Sequence, residues 1–131
     1  MKFKFNTIGL FTVRQPEMVA FYRDVMGFST DWAGSDNVDL TLDGMRLIMY
    51  PRTKFEEMTG RSYGYPDGMN GTLEISFDVD NYAEVDKAYE RCTGMGAKGI
   101  FPPTTMPWGQ RTCYIADPDG NLIEMSSFNA E

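Results

Sequence analysis

The chain has 131 residues, 42% of them hydrophobic and 24% charged, which supports one globular domain with a proper core. Nineteen acidic against twelve basic side chains leave a formal charge of −7, which nucleic acid and anionic membrane surfaces repel and which favours cationic small molecules. There is no histidine, which removes Ser-His-Asp and Cys-His nucleophile systems, two-His-one-carboxylate iron sites and His-based zinc sites.

No apolar run reaches the roughly 20 residues of a membrane span. The opening MKFKFNTIGLF begins a strand without the pattern of a secretory signal, so a cytoplasmic protein is expected. Residues 3–13, rich in aromatic and β-branched side chains, predict that strand. Pro16 fits a first helical position, and Met18, Phe21, Tyr22 and Val25 recur at helical spacing until Gly27. Three short strands are predicted next: FSTDWA (28–33), NVDLTL (37–42) and MRLIMYP (45–51), the last two joined by the hairpin signal Asp43-Gly44. A Gly-, Tyr- and charge-rich connector follows, with one helical turn at KFEEMTG.

The pattern then restarts. GTLEISFDV (71–79) reads as a strand and Asn81 as an N-cap. Tyr82, Val85, Tyr89 and Cys92 form a helical stripe. AKGIF, QRTCYIA and NLIEMSS read as strands, PPTTMPWG as a loop and DPDG as a turn. Strand, helix and three strands thus occur twice, an internal repeat with module 1 at 1–52, a connector at 53–70 and module 2 at 71–131. Cys92 and Cys113 fall on a helix and a strand and read as small buried hydrophobes of a reducing compartment.

The halves align residue by residue. Thr7 precedes Phe21 by the interval that separates Glu74 from Ala88, and DGMRLIM matches DGNLIEM with Gly44 on Gly120. Thr7, Ile48, Glu74 and Glu124 are therefore the four equivalent positions.

GLFTVRQPEMVAFYRDVMGF (9–28) and PWGQRTCYIADPDGNLIEM (107–125) resemble the vicinal oxygen chelate superfamily, which includes glyoxalase I, extradiol dioxygenases, fosfomycin-resistance transferases and bleomycin-resistance proteins. The resemblance implies an α+β fold of two βαβββ modules, a curled eight-stranded mixed sheet around an inter-module cleft, and a homodimer. In the metal-dependent members the ligands come from the first and last strand of each module, which carries over to Thr7, Ile48, Glu74 and Glu124. Where the family commonly has His or Gln, Glu, His and Glu, this chain keeps only Glu124.

Strand alternation puts Leu122 and Glu124 on one face and Ile123 and Met125 on the other, so Glu124 is expected to face the cleft. An acid among apolar neighbours must be hydrated, paired or ligated, although strand edges often carry acids for no chemical purpose. Glu74 shares a face with Ser76 and Asp78, and an ordinary solvent-facing acid explains it about as well. Trp32, Tyr50, Phe101, Trp108 and Tyr114 are the aromatics placed to line a cleft, against the commoner roles of core and dimer packing. Arg46 and Arg111 would meet an anionic substrate group or a neighbouring acid. Met45, Met49, Met106 and Met125 would give a plastic apolar wall or fill the core.

The expectation is a protein that binds a small apolar or cationic molecule without metal or cofactor, and without nucleic acid or membrane. The binding residues are Glu74, Glu124, Trp108, Arg111, Tyr114, Trp32, Arg46, Tyr50 and Phe101. The alternative is a divalent-metal-dependent lyase or isomerase resembling glyoxalase I, not a dioxygenase. There Glu74 and Glu124 would hold the metal, one of them moving a proton, with Glu124 the catalytic candidate.

Overall fold

The computed structural model describes all 131 residues. By internal contacts the chain divides into two compact units, Met1–Tyr65 and Pro66–Glu131. No helix is long and apolar enough to cross a membrane.

In the first unit β1 (Ile8–Thr12) leads to α1 (Gln15–Ala20), then β2 (Val38–Leu42), β3 (Met45–Pro51) and α2 (Arg52–Thr59). Pro16 stands in the first turn of α1, where a missing N–H costs nothing. The helix runs on as a wider π-type turn, Phe21–Val25, and stops at Gly27, whose φ of 87° suits glycine. Met18, Val19 and Tyr22 are fully buried beside Leu10, Val38, Leu40, Leu47 and Met49 of the sheet. The strand order is β1-β3-β2, with β1 parallel and β2 antiparallel to β3.

The second unit repeats the plan with one more strand: β4 (Asn70–Asp78), α3 (Tyr82–Gly94), β5 (Lys98–Thr105), β6 (Arg111–Ala116) and β7 (Asn121–Ser127), in the order β4-β7-β6-β5. The Asn81 side chain caps α3 by accepting from the Glu84 N–H at 3.0 Å. Val85 and Cys92 of the helix share a core with Cys113, Ile115, Ile123 and Met125. Both thiols are buried and unbridged, and burial pushes that of Cys113 up to about 12.

The fold is the expected α+β pair of modules, but with seven strands in two separate sheets of three and four. The strand expected at 28–33 is a single bridge, Ser29 to Thr41. Local bonds hold the rest of that segment: the Trp32 N–H donates to the Thr30 hydroxyl and the indole to the Ser35 carbonyl, which competes with a ladder. The first strand starts at Ile8, opposite Leu47, rather than at residue 3, because in this parallel register residues 3–5 lie beyond the start of β3 at Met45 and have nothing there to pair with. Phe3 and Phe5 are left 92% and 83% exposed. The single turn expected in the connector is the eight-residue helix α2, ended by Gly60 in the left-handed region. PPTT belongs to β5, an edge strand that tolerates its prolines. The expected loop thereby shrinks to a tight turn closed by the Met106 N–H donating to the Gln110 carbonyl at 2.7 Å.

The DPDG turn is structural, as its composition implied. Asp117, 4% exposed, accepts from the Asp119 and Asn121 backbone N–H groups and from the Asn121 amide. Asn121 in turn accepts from the Asn70 side chain, fastening the turn to the start of β4. Gly120 has φ 85°, and a Cβ there would run into the Gly68 carbonyl; Gly44 has φ 76° with open space around it. Gly44→Ala should therefore cost only the left-handed backbone penalty, about 1 kcal/mol. Gly120→Ala should cost at least twice that in urea unfolding at pH 7, and equal losses would refute the steric reading.

Candidate functional site

The register of the second sheet builds a polar face. Glu124 on β7 lies between Ser76 of β4 and Tyr114 of β6, its two ladder partners. Because alternate residues share a face, Glu74, Ser76, Thr112, Tyr114, Glu124 and Ser126 stand together, while Ile123 and Met125 point into the core. In the first sheet Gly9 pairs with Ile48 as Ser76 pairs with Glu124. The backbone therefore repeats the four positions aligned in the sequence.

Glu124 is surrounded by donors. Its Oε1 accepts from the Ser76 hydroxyl at 2.6 Å. Its Oε2 accepts from Thr112 at 2.7 Å, Tyr114 at 3.1 Å and the Gln110 amide at 3.4 Å. Gln110 also donates to Ser126 at 3.0 Å and accepts from the Trp108 indole at 2.9 Å, which fixes the orientation of its amide. The Tyr114 hydroxyl lies 3.5 Å from Glu74 Oε1. A phenol has one proton to give, so it bonds to Glu124, its nearer neighbour, and joins the two carboxyls through one oxygen.

The charge state follows from this geometry. Burial disfavours the ionised form of Glu124, but the hydroxyls of Ser76, Thr112 and Tyr114 outweigh it and hold the carboxyl below its ordinary value. At Glu74 burial and then the charge of Glu124 push upward, against a smaller opposing bond from Tyr114. Burial, followed by the two nearby acids, raises the Tyr114 phenol. The face thus holds a fixed negative charge on Glu124 beside a carboxyl that protonates more readily than usual. It can attract a cation, or pass a proton between Glu74 and a bound molecule.

The expected binding residues fall into separate places. Phe101 pairs with Tyr114 in the ladder, with ring centroids 6.4 Å apart, so it joins Glu74, Glu124 and Tyr114. Trp108 stands 62% exposed on its turn and reaches Glu124 through Gln110. Arg111 lies on the opposite, helix-facing side, where Asp86 of α3 holds it at 2.7 and 2.9 Å and Thr105 at 2.9 Å. Arg46, Tyr50 and Trp32 belong to the first unit. Arg46 binds Asp39 with both Nε and Nη2 and donates to Asn6 at 2.6 Å, while Trp32 is bonded within its own loop. Gln110 and Thr112 were missed by sequence reasoning, although the alternation that reaches Tyr114 passes through both.

Of the four positions to which the resemblance carries metal ligands, the two in the first unit are poor donors. The Thr7 hydroxyl is spent on the Arg46 carbonyl at 2.8 Å, and Ile48 is hydrocarbon. Glu124 already accepts four bonds from its own module. No three of Asp, Glu and Cys lie close enough together to hold an ion.

The chain belongs to the Glyoxalase/Bleomycin resistance protein/Dioxygenase superfamily, whose family model matches residues 4–125. Among solved structures it is similar to a glyoxalase/bleomycin resistance protein/dioxygenase from Nocardioides (23% identity, TM-score 0.80, 98% of this chain and 87% of that one). It is also similar to a lactoylglutathione lyase from Agrobacterium tumefaciens (24%, TM-score 0.71, 94% and 92%). A third is the fosfomycin resistance protein FosX of Listeria monocytogenes, solved with Mn(II) and 1S,2S-dihydroxypropylphosphonic acid (20%, TM-score 0.70, 95% and 90%). At these identities the likeness is one of fold.

Two substitutions should separate the carboxyls by sign. Because Glu124 is held below its unfolded value, its donors stabilise the fold above the ordinary carboxylate range, and that stability is lost as pH falls through the folded value. Thr112→Val should therefore cost about 1–2 kcal/mol at pH 7 and progressively less in acid. Glu74 is raised, so its charged form opposes folding once pH climbs past the folded value. Glu74→Gln should stabilise the protein at pH 7, with the gain gone below the ordinary carboxylate range. Urea titrations at both ends of that range measure both, and a Glu74→Gln gain that grows in acid would contradict the assignment.

Proposed function

We propose that the protein binds a small cationic or apolar molecule on the Glu124 face of the second module, without a metal ion. The observation that carries this reading is the saturation of Glu124 by Ser76, Thr112, Tyr114 and Gln110. A carboxylate so engaged keeps its charge but offers a hard cation few free lone pairs. It is suited to hold an ammonium or amidinium group at longer range. Glu74 adds a second acid beside it, and Phe101 and Tyr114 offer ring faces for the apolar part of such a ligand. The net charge of −7 draws cations toward the molecule.

In this reading Glu124 is an anchor and no bond of the ligand is broken. Trp108 reports occupancy, because its indole shares Gln110 with the carboxylate. A homodimer, the assembly the family resemblance implies, is part of the same proposal, and sedimentation gives its mass.

Benzyltrimethylammonium should quench tryptophan emission saturably, and Trp108→Phe should remove most of the signal. Glu124→Gln should weaken binding about tenfold or more, the equivalent of about 1.4 kcal/mol. Protein purified without a histidine tag, loaded with manganese, nickel or zinc and then desalted, should retain far less than one ion per subunit. Stoichiometric metal that is lost in Glu74→Ala and Glu124→Ala would overturn the reading in favour of the metal-dependent lyase.

A further inference from the structure

The chain has one Asn-Gly step, Asn70-Gly71, at the start of β4. The glycines that follow an aspartate, Gly44, Gly68 and Gly120, have φ of 76°, 96° and 85°, a left-handed backbone that favours glycine. Gly71 is different: its φ lies outside that region, and a Cβ there would meet nothing within 4 Å. Neither the backbone nor the packing requires a glycine here. What the glycine leaves is an exposed main-chain amide with no side chain over it.

The side chain of Asn70 is folded over that amide. Its Oδ1 accepts from the Thr72 N–H at 3.0 Å, an Asx-turn whose hydrogen-bonded ring encloses the Gly71 nitrogen. Its Nδ2 donates to Asn121 Oδ1 at 2.9 Å, which holds the other end of the amide. The Asn70 N–H itself is taken by the Gly120 carbonyl at 2.8 Å. Pairing with β7 then passes from Asn70–Asn121 straight to Glu74–Leu122, so residues 71–73 stand out of the ladder as an exposed bulge. Asn70 is therefore fixed, while the peptide that follows it is open to water.

These are the parts of an intramolecular displacement, with the nucleophile tethered beside its target. The Gly71 nitrogen gives up its proton to water and forms a bond to Asn70 Cγ. Charge moves onto Oδ1, where the Thr72 N–H already donates and stabilises it as an oxyanion donor does. The carbonyl re-forms as the Cγ–Nδ2 bond breaks, and the side-chain nitrogen takes up a proton and leaves as ammonia. Water then opens the five-membered imide at either carbonyl, giving aspartate or its β-linked isomer. The net change is one water consumed and one ammonia released, with no oxidant or reductant. We infer that Asn70-Gly71 is a self-modification site, at which the folded protein converts Asn70 to aspartate or isoaspartate and thereby unfastens the DPDG turn from β4.

The unfastening follows from the donors. A carboxylate at residue 70 has no proton to offer Asn121 Oδ1 at neutral pH. Asn121 cannot turn its amide round to help, because its Nδ2 is engaged by the buried Asp117 at 2.9 Å. An acceptor then faces an acceptor, and the chain gains one negative charge.

Native protein held in mildly alkaline buffer and then digested should show the peptide containing residues 70 and 71 one dalton heavier, as a mixture of aspartyl and isoaspartyl forms. Asn6, Asn37, Asn81, Asn121 and Asn129 should convert about tenfold more slowly or less. Gly71→Ala should slow the step about tenfold or more and leave the urea midpoint unchanged, since its Cβ has open space. Asn70→Asp, and the acidic form separated by anion exchange, should both unfold at lower urea than the native protein. If Asn70 stays intact in the folded protein over a time in which the urea-unfolded chain converts, the fold guards the step and the inference fails. It fails equally if Gly71→Ala converts at the native rate, or if Asn70→Asp unfolds at the native midpoint.

Discussion

In each module the first strand pairs in parallel with the last, and that ladder sets the chemistry of everything on the sheet's open face. Gly9 opposite Ile48 and Ser76 opposite Glu124 are the same backbone position built twice. With period two along every strand, the neighbours of that position are fixed in advance, and only the side chain is left to vary. Isoleucine there gives the first module an apolar floor. Glutamate gives the second a charge that must be accommodated.

Accommodation explains the composition of the second face. A half-buried carboxylate without partners would take up a proton or unsettle the fold. Glu124 avoids both because two strands and the turn before β6 bring it donors: Ser76 from β4, Thr112 and Tyr114 from β6, Gln110 from the turn. Hydrogen bonds to a charged acceptor are stronger than neutral ones, so the shell favours the ionised form. Glu74 has the shared phenol at 3.5 Å, burial and a negative neighbour, so its carboxyl takes up a proton more readily than that of Glu124. Two neighbouring acids thus differ in how readily they protonate because one owns the hydroxyls.

Much of this was legible in the chain. The helical spacing of Met18, Tyr22 and Val25, the Asn81 cap and the alternation through Glu124 each stated a local preference that the packed structure keeps. The readings that failed were those in which a neighbour decides. Residues 3–5 have strand composition but lie beyond the start of β3, and residues 28–33 keep a single bridge and are otherwise held through Thr30 and Ser35. The prolines of PPTT spoke for a loop, yet an edge strand places no demand on their missing N–H groups. At the site, Glu74, Tyr114 and Glu124 could be grouped by strand parity and the repeat. Arg111 was legible as a cation, but the parity of β6 turns it toward Asp86 of α3, a partner that only packing reveals.

The two sulfur-bearing residue types occupy opposite situations in this molecule. Cys92 and Cys113 are buried in the helix–sheet core, where burial raises both thiols and suppresses the thiolate that oxidants and alkylating agents attack. Methionine is where soft sulfur meets solvent: Met58, Met69 and Met95 are 68%, 41% and 48% exposed. Oxidative damage to the chain therefore falls on thioethers, and Met58 is the one that lines a pocket. Its sulfoxide would place a polar, chiral group in the apolar wall beside Phe55, so an oxidant in the surroundings reaches the face between α2 and the first sheet.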